Sequence, residues 1–143
     1  MNINKTPTRI MVDVRIILSA LWAARMLSGL QGDVVRFMAP GMLEEMITGV
    51  TDVPVTNELL VVMSIIFVVP IFMSFLSLTL KDKANRWANR SIGIFFVAFD
   101  LIFLSLSLFV FQIVAYEIIW GIVYLVFTAL VVWYAWKWPT QDA

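Results

Sequence analysis

Apolar residues along the chain gather into four blocks separated by polar or charged breaks. Residues 59–80 (LLVVMSIIFVVPIFMSFLSLTL) carry no charge, residues 92–110 carry only Asp100, and residues 113–136 carry only Glu117. Each approaches or exceeds the roughly 20 apolar residues that a membrane-spanning helix needs. The block at 16–30 is shorter and reaches that length only by accepting Arg15, Arg25 and Gln31 to Asp33. Its small-residue ladders, Ala20, Ala24, Ser28 and Ser19, Ala23, favour a packed span, because such ladders let backbones approach closely in lipid. A cleaved leader is the rival reading, since Lys5 and Arg9 precede an apolar run ending in small residues. Asp13 and Arg15 interrupt that approach, so a retained span is expected. The pattern therefore predicts an all-α membrane protein, a four-transmembrane-helix antiparallel bundle with spans at about 14–33, 58–80, 91–111 and 113–136.

The connections set the orientation. Lys5, Arg9 and Arg15 precede the first span, and Lys81, Lys83, Arg86 and Arg90 fill the predicted loop 81–90, whereas residues 33–58 hold only Arg36 against five acids. The positive-inside rule then puts both termini and loop 81–90 in the cytoplasm and residues 33–58 outside. Trp87 and the group Trp133, Tyr134, Trp136 and Trp138 around Lys137 suit an aromatic belt at the cytoplasmic interface. Pro40 and Gly41 break the first helix, the segment MLEEMI suits a short amphipathic helix lying on the outer surface at about 40–49, and Gly49 can end it. Thr56 or Asn57 is expected to cap the second span, with Glu58 in its first turn. Around Phe111 and Gln112 a tight turn should join antiparallel neighbours.

Composition narrows the chemistry. Of 143 residues, 62% are hydrophobic and 14% charged, against about 25% charged in soluble domains. Ten basic residues balance ten acidic ones, so no basic footprint for nucleic acid exists. His and Cys are both absent, which removes disulfides, imidazole or thiolate metal sites and every His-based triad. No metal and no cofactor is expected. Carboxylates, Arg, Tyr and hydroxyls remain.

Charges inside spans are costly and mark sites worth inspecting. Counting ~1.5 Å per residue puts Arg25 about 15 Å from Arg15 and Asp100 about 13 to 14 Å from Ser91, so the two are expected at one level and paired. Such a pair either fixes helix packing or forms a polar centre that binds a ligand or relays a proton. Glu117 begins a helical stripe through Trp120 and Tyr124 that passes Gly121 and reaches Thr128. Asp33 and Arg36 continue a polar stripe on the first helix. Arg25, Asp33, Asp100, Glu117, Trp120 and Tyr124 are thus the candidate ligand-binding residues, and together they could line a cavity opening outward. Arg86, Trp87 and Arg90 are the candidates for anionic lipid headgroups, or simply the charge needed for insertion. Asn85 and Asn89 could cap the third span. Pro70, with Ser64, Ser74 and Ser77 nearby, should kink the second span.

LSALW at 18–22, Pro40-Gly41 followed by Glu44 and Glu45, LSLTL at 76–80, ANRWAN at 84–89 and WYAWKWP at 133–139 together resemble an uncharacterised family of short bacterial four-span membrane proteins, known as a domain of unknown function. The resemblance covers nearly the whole chain and implies a bacterial inner-membrane address and multi-pass topology, with no reaction attached. Such proteins are expected to carry an acid in the fourth span near the position of Tyr124; here the acid of that span is Glu117, two turns earlier.

Three functions remain open: binding or moving a small or lipid-like ligand at the polar centre; a non-catalytic accessory or structural subunit; and a metal-free membrane enzyme using Asp100 or Glu117 as general acid/base on a lipid or isoprenoid substrate. The first is preferred, and the reading leans away from an enzyme. The expected partners are membrane lipids, a second copy or a larger membrane complex.

Overall fold

The computed structural model describes residues 12–49, 55–109 and 115–138. Among them the chain is all-helical: α1 Val14–Phe37, α2 Met42–Thr48, α3 Asn57–Thr79, α4 Asp82–Phe109 and α5 Ala115–Lys137. The expected turn at Phe111 and Gln112 lies outside the described residues, as do Lys5, Arg9 and Pro139.

Each boundary has a local cause. Asp13 caps α1 by accepting the Arg15 backbone N–H at 2.9 Å. Thr56 caps α3, its hydroxyl accepting from the Leu59 N–H at 3.3 Å, with Glu58 in the first turn as expected. Gly41 (φ +87°) and Gly49 (φ +70°) flank α2 in the left-handed region that side chains other than glycine avoid. No residue of α2 is buried.

Three helices, α3, α4 and α5, are long and apolar enough to cross a membrane. The expected first span, α1, is long enough at 24 residues but carries Arg15, Arg25, Asp33 and Arg36, and it falls outside that set. The expected cytoplasmic loop 81–90 is corrected: α4 begins at Asp82, and only Leu80 and Lys81 separate it from α3. The polar run that looks like a loop is the first turns of a helix, because one side of it is buried. Asn85, Asn89, Gly93, Phe96 and Asp100 recur at helical spacing along the buried face of α4.

α1 packs against α3 and α5, and α4 against α5, with sparser contact between α3 and α4. Arg36 meets Glu117, Gly32 meets Trp120 and Tyr124, and Ser28 meets Tyr124, so α1 and α5 run in opposite directions. Arg90 with Ala135, Gly93 with Val131 and Asp100 with Thr128 give the same antiparallel register for α4 and α5. Leu18, Trp22, Met73, Phe96, Val131, Ala135 and Trp138 form the core, drawn from all four long helices. Of the small-residue ladders of α1, Ser19, Ala23, Ala24 and Ser28 are half-buried and Ala20 is exposed, while its buried stripe runs through Leu18, Trp22, Arg25 and Gly32.

Candidate functional site

Arg25 and Asp100 meet inside the protein, as depth counting anticipates. Arg25 Nη2 donates to Asp100 Oδ1 at 2.5 Å, with the two side chains only 9% and 4% exposed. The second carboxylate oxygen accepts from the Thr128 hydroxyl at 2.8 Å. Asp100 is therefore held from α1 and α5 at once. The guanidinium lies over the Phe96 ring at 4.3 Å, a placement in which a desolvated cation–π contact is worth about 2 kcal/mol. Phe96 is set in turn by the edge of Trp22, ring centroids 5.7 Å apart. Among the described residues, Arg25 Nε is the buried side-chain polar atom with no hydrogen-bond partner.

Tyr124 stands on the side of this pair nearer to Arg36. Its hydroxyl reaches the Ser28 carbonyl at a long 3.4 Å and sits against the Cα of Gly32, where a Cβ would collide with it. Trp120 packs on the same glycine, 3.2 Å from that absent Cβ. Farther along, Arg36 Nε faces Glu117 at 3.4 Å, with Arg36 half-exposed. The stripe of Glu117, Trp120 and Tyr124 thus lies along α1 as expected. Asp33 is exposed, and among the described residues Arg36 takes Glu117 as its ion-pair partner. Aromatic side chains close over Gly32 instead of framing an outward cavity. Among the described residues, surface grooves of about 410 Å³ each lie on α5 around Trp133 and Trp136 and between α3 and α4.

A second polar cluster went unread in the sequence. The Trp22 indole N–H donates to Asn89 Oδ1 at 2.7 Å, and the Ser77 hydroxyl donates to the same oxygen at 3.2 Å. Asn89 Nδ2 donates to Asn85 Oδ1 at 2.7 Å and to the Asn85 carbonyl at 3.0 Å, and Asn85 Nδ2 donates to the Ser77 carbonyl at 2.7 Å. All four side chains are fully buried. Asn85 and Asn89 are therefore not caps of the third span; they tie α4 to α1 and α3. The LSALW, LSLTL and ANRWAN segments meet here, through Trp22, Ser77 and the two asparagines. The signal available in the sequence was the four-residue spacing of Asn85 and Asn89, in line with Gly93.

Arg90 is likewise engaged. Its Nε donates to the Ala135 carbonyl at 3.0 Å, satisfying one of the open acceptors in the last turn of α5, and its guanidinium lies 5.1 Å from the Trp136 ring. Of the headgroup candidates, Arg90 is turned inward, whereas Trp87 is 72% exposed. Arg15 and Asp82 form an ion pair between the first turns of α1 and α4. The serines around Pro70 bond elsewhere: Ser64 to the Leu60 carbonyl, Ser74 to the Ile71 carbonyl, and Ser77 to Asn89. Pro70 itself is buried inside an unbroken α3. Among the described residues no group of acids could hold a metal ion.

Compared with known proteins, the chain matches no family model, no curated protein and no solved structure.

Proposed function

We propose that the chain is an integral membrane protein with four spans, α1, α3, α4 and α5, both termini cytoplasmic and α2 on the outer surface, and that it serves as a non-catalytic component of a membrane assembly. The observation that carries this reading is the closed Arg25–Asp100–Thr128 contact. Both carboxylate oxygens are occupied from within the protein, so the intramembrane acid is spent on joining helices. Further support comes from α3, whose first thirteen residues, 57–69, include none that is buried although the helix is apolar all round. In a bilayer that surface faces lipid or a partner. The four-span placement of α1 draws on the same pairing, because Arg25, the charge at the middle of α1, finds Asp100 on α4. The resemblance to the bacterial four-span family supports an inner-membrane address.

A second reading, binding of a small ligand at the polar centre, is favoured by the orphaned Arg25 Nε. Since Arg25 and Asp100 cancel in charge, the ligand class is a neutral hydrogen-bond acceptor with an apolar body. Native mass spectrometry of the protein released from mild detergent separates the two, using wild type and the Arg25→Met/Asp100→Leu double variant. The component reading expects the same assembly from both and no stoichiometric small molecule from either. A molecule carried by wild type and lost from the double variant overturns it in favour of the second.

A further inference from the structure

α3 and α4 touch where Ser77 meets Asn85 and Asn89 and then leave a groove of about 410 Å³ between them. Its walls are Ile65, Ile66 and Val69 from α3 and Trp87, Ser91 and Phe95 from α4. Ile92 and Phe96 also line it from α4; Trp87, Ser91 and Phe95 form a ladder at four-residue spacing that continues outward to Lys83, which is exposed. Read along α4, the order is a cation, an amphipathic indole that is 72% exposed, a small hydroxyl residue and an aromatic ring. A rise of 1.5 Å per residue puts Trp87 about 6 Å and Phe95 about 18 Å deeper than Lys83. That sequence of chemistries matches a phospholipid from its phosphate, through its ester region, into its acyl chain. Glu44 and Glu45 of α2, Glu58 and Glu117 lie at the opposite end of the helices, and the acids at the Lys83 end are engaged, Asp82 with Arg15 and Asp13 as the cap of α1, so the groove opens towards an end where Lys83 is exposed.

We propose that the groove between α3 and α4 seats one acyl chain of an anionic phospholipid, with Lys83 paired to its phosphate and Trp87 at its glycerol level. The proposal rests on the reading that α3 and α4 cross the membrane with Lys83 at the cytoplasmic face. Ser91 is the small residue that leaves room for the chain; a larger side chain there fills the groove.

The experiment is native mass spectrometry of detergent-solubilised protein titrated with phosphatidylglycerol and phosphatidylcholine of identical chains. Phosphatidylglycerol is expected to bind more tightly. Lys83→Gln weakens it about fivefold, the factor for one juxtamembrane charge worth roughly 1 kcal/mol, and weakens phosphatidylcholine less, because choline already neutralises that lipid's phosphate. Ser91→Trp weakens both lipids, as does Val69→Phe from the opposite wall, with thermal unfolding used to choose whichever variant keeps the fold. Lys137→Gln, a cation outside the groove, changes neither. Equal binding of the two lipids overturns the proposal, as does an equal loss in Lys137→Gln and Lys83→Gln, or unchanged binding in the folded groove-filling variant. A dimer that dissociates on groove filling while lipid binding holds assigns the groove to a second copy, and competition by inorganic phosphate assigns Lys83 to a free anion; either also overturns it. Failure of the membrane reading is seen separately, as release of the protein from membranes by alkaline carbonate before any lipid is offered.

Discussion

Replacing Asp100 by leucine strands the Arg25 guanidinium in the interior. Nη2 loses its acceptor and Nε already has none, while the Phe96 face, 4.3 Å away, is the remaining favourable contact. Thr128 adds little to the cost, because its hydroxyl still reaches the Tyr124 carbonyl at 2.8 Å. Breaking one side of a buried pair costs about 3 to 5 kcal/mol, and the retained cation–π contact puts Asp100→Leu near the lower end, about 3 kcal/mol. Arg25→Met should cost less. The Asp100 carboxylate keeps the Thr128 hydroxyl as a donor when Arg25 is removed, whereas, among the described residues, the guanidinium left by Asp100→Leu has no hydrogen-bonding partner in return. The Arg25→Met/Asp100→Leu double variant should lie within about 1 kcal/mol of wild type, since apolar replacement of both partners is often neutral. The assay is reversible unfolding in mixed micelles, followed by helical circular dichroism and read as a double-mutant cycle. A single Asp100→Leu within 1 kcal/mol of wild type, or a double variant as unstable as the sum of the singles, would refute the reasoning.

Four further outcomes follow from the contacts. Asn89→Ala leaves the Trp22 indole N–H and the Ser77 hydroxyl without their acceptor and should cost about 2 to 6 kcal/mol at about 1 to 3 kcal/mol per unsatisfied group. Ser77→Ala, after which Asn89 Oδ1 keeps Trp22, should cost about 1 kcal/mol in the same unfolding assay. Gly32→Ala drives a methyl into the Tyr124 hydroxyl and should lose about 1 to 3 kcal/mol, partly restored by Tyr124→Phe, while Gly29→Ala, with open space at its Cβ, should be neutral or stabilising. Because the chain has no cysteine, single cysteines at Lys83 and Glu45 report topology directly by labelling with an impermeant maleimide in intact cells. Glu45→Cys should label and Lys83→Cys should label only after permeabilisation; the reverse pattern inverts the orientation.

What could be read in advance was what depends on one dimension. Apolar blocks mark α3, α4 and α5, the Thr56 cap and Gly49 stop are local chemistry, and the Arg25–Asp100 meeting follows from depth alone, since a charge in an apolar run must be matched at its own level. The beginning of α4 could not be read that way. Six of the nine residues of KDKANRWAN are polar, and polar helix turns and loops share a composition; what distinguishes them is that Asn85 and Asn89 bury their amides against Ser77 on the preceding helix and Trp22, which is 67 residues from Asn89. Around Asp33 the sequence shows a polar stripe shared with Arg36, but not that Gly32, one residue away, is the position α5 covers, because the aromatic pair seated there comes from far along the chain.

The Arg25–Asp100 pair spans 75 residues of sequence, and this separation has a meaning for biogenesis. At about 5 to 20 residues per second of synthesis, roughly 4 to 15 s pass between the emergence of Arg25 from the ribosome and that of its counter-charge. Thr128 and Glu117 come later still. In the four-span arrangement proposed above, α1 is a poor transmembrane segment through that interval and becomes a good one only when α4 and α5 arrive. That arrangement would require the insertion machinery to hold α1, or admit it last, so that this helix settles in the bilayer only once α4 and α5 are in place.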